Sequence, residues 1–213
     1  MFPLTLAAMQ DGIAIDLHLE RRQAFVAQVD NGFSRKSAQP GNASYYYSAT
    51  RLPTTGKVTV NGRTVAVAGN SWLDREWSTA ALGPEQAGWD WFALQLDDGR
   101  DLMFYRLRNK DGSASHFSGG TLVAPNRTVQ QLASDDVVID EQDHWRSPRT
   151  GTRYPSRWRV QLPSQSLSLD ITPVIEDQEL DLSVCYWEGA VSINGTSGGS
   201  PVSGAGYVEL AGY

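Results

Sequence analysis

Cysteine is almost missing from this chain. Cys185 is the only one in 213 residues, so no internal disulfide can form. It sits in an apolar, strand-like run and reads as a buried, unreactive thiol. Histidine is nearly as scarce. His18, His116 and His144 are far apart and share no spacing, which argues against a His-rich metal site. Basic charge is in deficit, with 18 Lys and Arg against 24 Asp and Glu and a net charge of -6. With no basic block to offset this, a nucleic-acid partner is not expected. No apolar run approaches the length that crosses a bilayer. The opening MFPLTLAAMQDG is short, has no basic flank and runs straight into the polar DG, so it does not read as a secretory signal. Capped, helix-period segments are missing too. No serine sits in a nucleophile elbow, and no phosphate loop occurs.

What is present is alternation broken by turn residues. AIDLHLE alternates apolar and polar, and QDGIA, VDNG, TTGK, VNGR, LDDGR, NKDG and SINGTS carry the residues that tight turns need. Lys57–Val60 and Arg63–Val67 read as two strands joined through Asn61-Gly62, a strong hairpin signal. FALQLDDGRDLMFYRLR reads as a second hairpin about Asp98-Gly99. RYPSRWRVQLPSQSLSLDITPV gives two more strands split at Pro-Ser, and LDLSVCYWEGAVSING and GYVELAGY close the chain. DDVVIDEQDHW is read as a strand, and GTSGGSPVSGAG, residues 195–206, as a mobile glycine-rich loop. A soft junction is expected at Thr79 to Ala87. Many short strands at regular spacing predict an all-β protein, an antiparallel barrel or sandwich.

One stretch concentrates chemistry. Residues 71–108, SWLDREWSTAALGPEQAGWDWFALQLDDGRDLMFYRLR, hold Trp72, Trp77, Trp89 and Trp91, with Asp74, Glu76 and Asp90 threaded between them. In a strand, Trp72, Asp74 and Glu76 share one face, with neighbours about 7 Å apart, while Leu73, Arg75 and Trp77 share the other. Two close carboxylates beside tryptophan raise each other's pKa through repulsion and desolvation, and one can stay protonated to act as a general acid. Trp89 and Trp91 share a face opposite Asp90. Arg106 and Arg108 project together and can partner Asp74, Glu76 or Asp90. The same pattern also describes a half-exposed sheet in which a carboxylate accepts an indole N–H for purely structural reasons.

SWLDREWS, GWDWFALQLDDGRDLMFYRLRNKDG, YWEGAV, GYVELAGY and the upstream ASYYYSATRLPTTGKVTVNG together resemble the carotenoid 1,2-hydratase (hydroxyneurosporene synthase) and AttH-like family, in order and over nearly the whole chain. The resemblance implies lipocalin-like antiparallel β-barrels. Residues 1–80 would supply part of an N-terminal sheet and residues 81–213 a more complete C-terminal barrel. It implies a periplasmic, envelope or secreted protein, a small apolar ligand (a carotenoid, terpenoid or lipid) and no cofactor. Open sheet edges would favour self-association or pairing with a further segment. Hydrating an isolated C=C needs strong protonation of carbon, which a desolvated carboxylic acid among aromatic faces can supply. Asp74 is then the expected donor and Glu76 its partner or water activator. Trp72, Trp77, Trp89 and Trp91 would form the cavity wall. Tyr105 and Arg106 follow from the neighbouring strand, and after them Tyr207 and Glu209. Arg75 stands where hydratase-like members often carry His, and an arginine cannot relay protons. The competing readings are a non-catalytic lipocalin-like binder of lipid or pigment and a pericyclase-like template.

Overall fold

The structure, a computed structural model, describes residues 2–79, 82–181 and 185–213. Its described residues form sixteen strands and two 3-10 turns, in two antiparallel sheets. The first sheet holds β1 (Leu4–Gln10), β2 (Ile13–Leu19), β3 (Val26–Ala27), β4 (Phe33–Arg35), β5 (Ala43–Val60) and β6 (Arg63–Ser78). The second holds β7 (Gln86–Leu96), β8 (Asp101–Asn109), β9 (Gly119–Val123), β10 (Val129–Ala133) and β11 (Val138–Arg146). It continues with β12 (Arg153–Leu162), β13 (Leu167–Pro173), β14 (Glu179–Asp181), β15 (Cys185–Ser197) and β16 (Ser200–Ala211). The expected boundary between residues 80 and 81 lies outside the described residues, as does part of the expected junction at Thr79 to Ala87.

The ten-stranded sheet curls on itself. Its order runs β10-β9-β8-β7-β16-β15-β13-β12-β11, so three strands lie between β7 and β12 in the ladder. Yet Phe92 on β7 and Trp158 on β12 meet edge to face at 5.9 Å. The inward residues, Phe92, Leu94, Leu102, Phe104, Trp158, Leu169, Trp187 and Val208 among them, fill the enclosed space as one buried cluster. The interior of this half-barrel is packed solid.

The Asn61-Gly62 hairpin forms as the sequence predicts, with left-handed φ of +49° and +80°, and its arms extend far beyond Lys57–Val60 and Arg63–Val67. The register is unbroken from Val60↔Arg63 to Leu52↔Ser71, then shifts, so that Ala49 faces Leu73 and Ser48 faces Asp74. Two residues of β5, Thr50 and Arg51, span the gap that Trp72 alone spans on β6. This is a β-bulge.

One loop expectation is overturned. Residues 195–206 are strand, turning only at Gly198-Gly199, where φ is +54° and +83°. The glycines serve close approach: a Cβ on Gly195 would lie 2.1 Å from the Ser168 carbonyl, and one on Gly204 2.4 Å from that of Gln95. DDVVIDEQDHW does yield a strand, β11.

Candidate active site

The cleft lies between the six-stranded sheet and the outer face of the ten-stranded one. On β7 the alternation sends Trp89 and Trp91 outward to the cleft, and on β8 it sends Met103, Tyr105 and Leu107 the same way, where they pack with Tyr46 of β5. On β6, Trp72, Asp74 and Glu76 face them. The space forms two adjoining cavities. One, of about 340 Å³, is bounded by Lys36, Tyr46, Glu76, Tyr105 and Trp89. The other, of about 550 Å³, is bounded by Trp72, Ala93, Gly206 and Tyr207. Asp74, Trp91 and Glu209 line both and so form the waist between them.

The β5–β6 register builds the surroundings of Asp74. Ser48, directly opposite, donates to Oδ1. Trp72, two residues back on the same face, donates its Nε1–H to Oδ1 at 2.7 Å. Tyr46, diagonal across the strands, donates to Oδ2 at 2.8 Å and itself accepts the Trp91 indole N–H at 2.9 Å. Every partner is neutral. Burial is the largest influence on this carboxyl and pushes its pKa above the ordinary 3.8. The three donors pull it down, the nearby Glu76 charge pushes it up again, and burial prevails. Two donors already occupy Oδ1, and the indole can only donate, so a proton on Asp74 belongs on Oδ2.

Glu76 is placed differently. Its Oε1 accepts from Ser44 at 2.5 Å and is ion-paired with the Lys36 ammonium at 2.8 Å. Lys36 is buried, with its ammonium 4.2 Å from the centre of the Tyr105 ring. Burial lowers its pKa, and Glu76 partly restores it. The Tyr105 hydroxyl is bonded to Ser34 at 2.6 Å, and burial raises its pKa too. On the far wall Trp89 donates to Glu209 at 2.6 Å. Glu209 is half-buried, and burial foremost raises its pKa above 4.5.

The structure thus brings Trp72, Asp74, Glu76, Trp89, Trp91 and Tyr105 into one cleft, with Tyr207 and Glu209 at its far wall. It does not bring Trp77 or Arg106 there. Trp77 follows the odd-numbered face of β6 outward, 55% exposed, against Tyr45 and Tyr47. Arg106 follows the inward face of β8. It binds the fully buried Asp90 and reaches Glu141 at 2.5 Å. Arg75 also points out, so the residue at 75 does not bear on cleft chemistry. Sequence reading missed Tyr46, Ser48 and Lys36. The run Ser44–Ser48 alternates hydroxyl groups on one face and could have flagged the first two. Lys36 lies in a loop without pattern. Among the described residues no group of three His, Cys, Asp or Glu is placed to hold a metal ion.

Two antiparallel sheets, one of them curled into a half-barrel, define an all-β, lipocalin-like class of protein. A family model described as AttH-like matches residues 1–213, and the chain belongs to that family. A crystal structure from Nitrosomonas europaea assigned as an AttH is similar, at 38% identity and TM-score 0.87, over 97% of this chain and 64% of that one. The crystal structure of kievitone hydratase from Nectria haematococca shares the fold at 20% identity and TM-score 0.81, over 98% of this chain and 64% of that one. The curated kievitone hydratase of Fusarium solani subsp. phaseoli is 24% identical over 174 residues, 78% of this chain and 49% of the relative. The chain therefore spans about half the length of that curated relative.

Proposed function

We propose that this cleft binds an elongated, largely apolar alkene, a polyene or terpenoid, and adds water to an isolated C=C by acid catalysis, with Asp74 as the proton donor. One observation carries the reading: Asp74 is a half-buried carboxyl held only by neutral donors, at the waist of an aromatic cleft. A carboxyl in that setting keeps its proton to higher pH than an exposed one and delivers it into a site where indole and phenol faces stabilise a tertiary cation. Trp72 and Ser48 fix Oδ1, so Oδ2 is the delivering atom. Tyr46, bridging Trp91 and Asp74, takes up the negative charge that remains after transfer by donating to Oδ2. The 550 Å³ cavity receives one arm of the substrate and the 340 Å³ cavity the other. The similarity to kievitone hydratases supports hydration as the reaction, and the motif resemblance to carotenoid hydratases supports an isoprenoid alkene as the group hydrated.

The test is mass spectrometry of kievitone and of an acyclic carotenoid after incubation with the protein, beside Asp74→Asn. A gain of one water is expected for the wild type. The variant should be slower by about a hundredfold to ten-thousandfold, the usual worth of a general acid. Neither compound gaining water, while tryptophan fluorescence is still quenched, would make the protein a binder and return Asp74 to a structural role.

A further inference from the structure

Adding water requires a base as well as an acid, and the sequence pointed to Glu76 for it. The structure places that residue's charge against an ammonium. Lys36 and Ser44 share its Oε1, so its charge is already paired with a buried ammonium. Glu209 stands in the other position that matters. It projects from β16 of the ten-stranded sheet while Asp74 projects from β6 of the six-stranded one, and both line both cavities. Among the described residues its one hydrogen-bond partner is Trp89, whose N–H can only donate and which holds Oε1. Oε2 is left for a water.

We infer that Glu209 is the catalytic base, taking the proton from the water that captures the cation formed by Asp74. This rests on the acid role proposed for Asp74. The π bond breaks as a new C–H bond forms with the Asp74 Oδ2 proton, leaving Asp74 as the carboxylate. Water forms the C–O bond and passes its proton to Oε2 of Glu209. A proton then returns from Glu209 to Asp74, so the sum is the addition of one water. Proton and water come from opposite walls of the cleft.

The groups around Glu209 suit a base. Glu188 stands opposite it on β15, Asp74 and Glu76 face it from β6, and Tyr186 and Tyr207 lie beside it. Lys36, which lines the same cavity, is paired with Glu76. Burial raises its affinity for protons, the Trp89 bond lowers it, Glu188 and the two β6 carboxylates raise it again, and the net direction is up.

The test is the pH dependence of hydration of kievitone by the wild type, Glu209→Gln and Glu76→Gln. Glutamine keeps the oxygen that Trp89 needs, and thermal melts check the fold. The wild-type rate should fall on both sides of an optimum, since one side leaves no base and the other no acid. E209Q should lose about a hundredfold in kcat and no longer show the acid-side fall, with E209D recovering part of the rate. E76Q should keep the acid-side fall. An E209Q enzyme within twofold of wild type that retains that fall would overturn the inference, as would an E76Q enzyme that loses it. An active Asp74→Asn enzyme would instead sink the acid role. Independently of turnover, carbon-13 NMR of labelled glutamate should show Glu209 titrating lower in D74N than in the wild type. An unchanged titration would mean the two do not face each other, and the inference would fall.

Discussion

Three aspartates are withdrawn from water in this molecule, and their partners divide them. Asp90 and Asp101 are fully buried, and each is held by two guanidinium groups: Arg106 and Arg108 for the first, Arg51 and Arg127 for the second. Tyr213 and Thr50 add hydroxyl donors at 2.8 and 2.7 Å. Asp74 has hydroxyls and an indole and no cation. Compensated charge ties elements together. Asp101, for one, binds β5 of one sheet to β8 of the other. A carboxyl left without a cation costs stability if it ionises, so its proton becomes available for chemistry.

The comparison is most sharply broken by Asp74→Asn, which should remove activity while leaving the fold. Next, Asp101→Asn should leave the fold's chemistry untouched and cost roughly 3 kcal/mol by stranding Arg51 and Arg127, measurable by urea unfolding. A third test reads stability against pH. Asp74 has a folded pKa above its ordinary 3.8, so its protonated form favours folding. That contribution is complete below 3.8 and is lost as pH rises through the folded value. D74N should therefore gain in melting temperature relative to wild type as pH rises from about 4 through the folded value, and the gain should then level off. A constant difference across that range would show that Asp74 is not perturbed. The smallest effects separate the tryptophans. Trp91→Phe loses the bond to Tyr46, about 1 kcal/mol, and ligand-induced quenching falls with it. Trp77→Phe, on the outer face, should change stability by less than about 0.5 kcal/mol and leave quenching intact.

Much of this was readable from residues alone. Alternation gave the antiparallel all-β class, Asn61-Gly62 gave the central hairpin, and parity within SWLDREWS put Trp72, Asp74 and Glu76 on one face. Parity also said that Trp77 faces away, and only the crowding of tryptophans suggested otherwise. The weakness of single-strand reasoning shows at Asp74. A strand's own pattern says which face a residue occupies, not which residue of the next strand stands opposite. Ser48 and Tyr46 become its partners only through the shifted register, and Lys36 arrives by a loop with no periodicity. Arg106 was matched to three possible acids, and packing inside the half-barrel selected Asp90. The cleft's location between sheets, outside the packed interior, follows from how far the second sheet curls, which no local pattern encodes.

The bulge at Thr50-Arg51 has a consequence of a different kind. Had the register of Leu52↔Ser71 continued unbroken, Ala49 would stand opposite Asp74, and its methyl group cannot donate a hydrogen bond. The extra residue sets the phase of one wall of the cleft, putting Ser48 rather than Ala49 opposite Asp74 and Tyr46 rather than Tyr47 opposite Glu76. Thr50 and Arg51 are clamped to Asp101 on the other sheet, so the phase cannot slip without breaking a buried charge cluster. A chain of this design can change the whole lining of its cleft by losing or gaining a single residue there, a larger step than any one substitution could take.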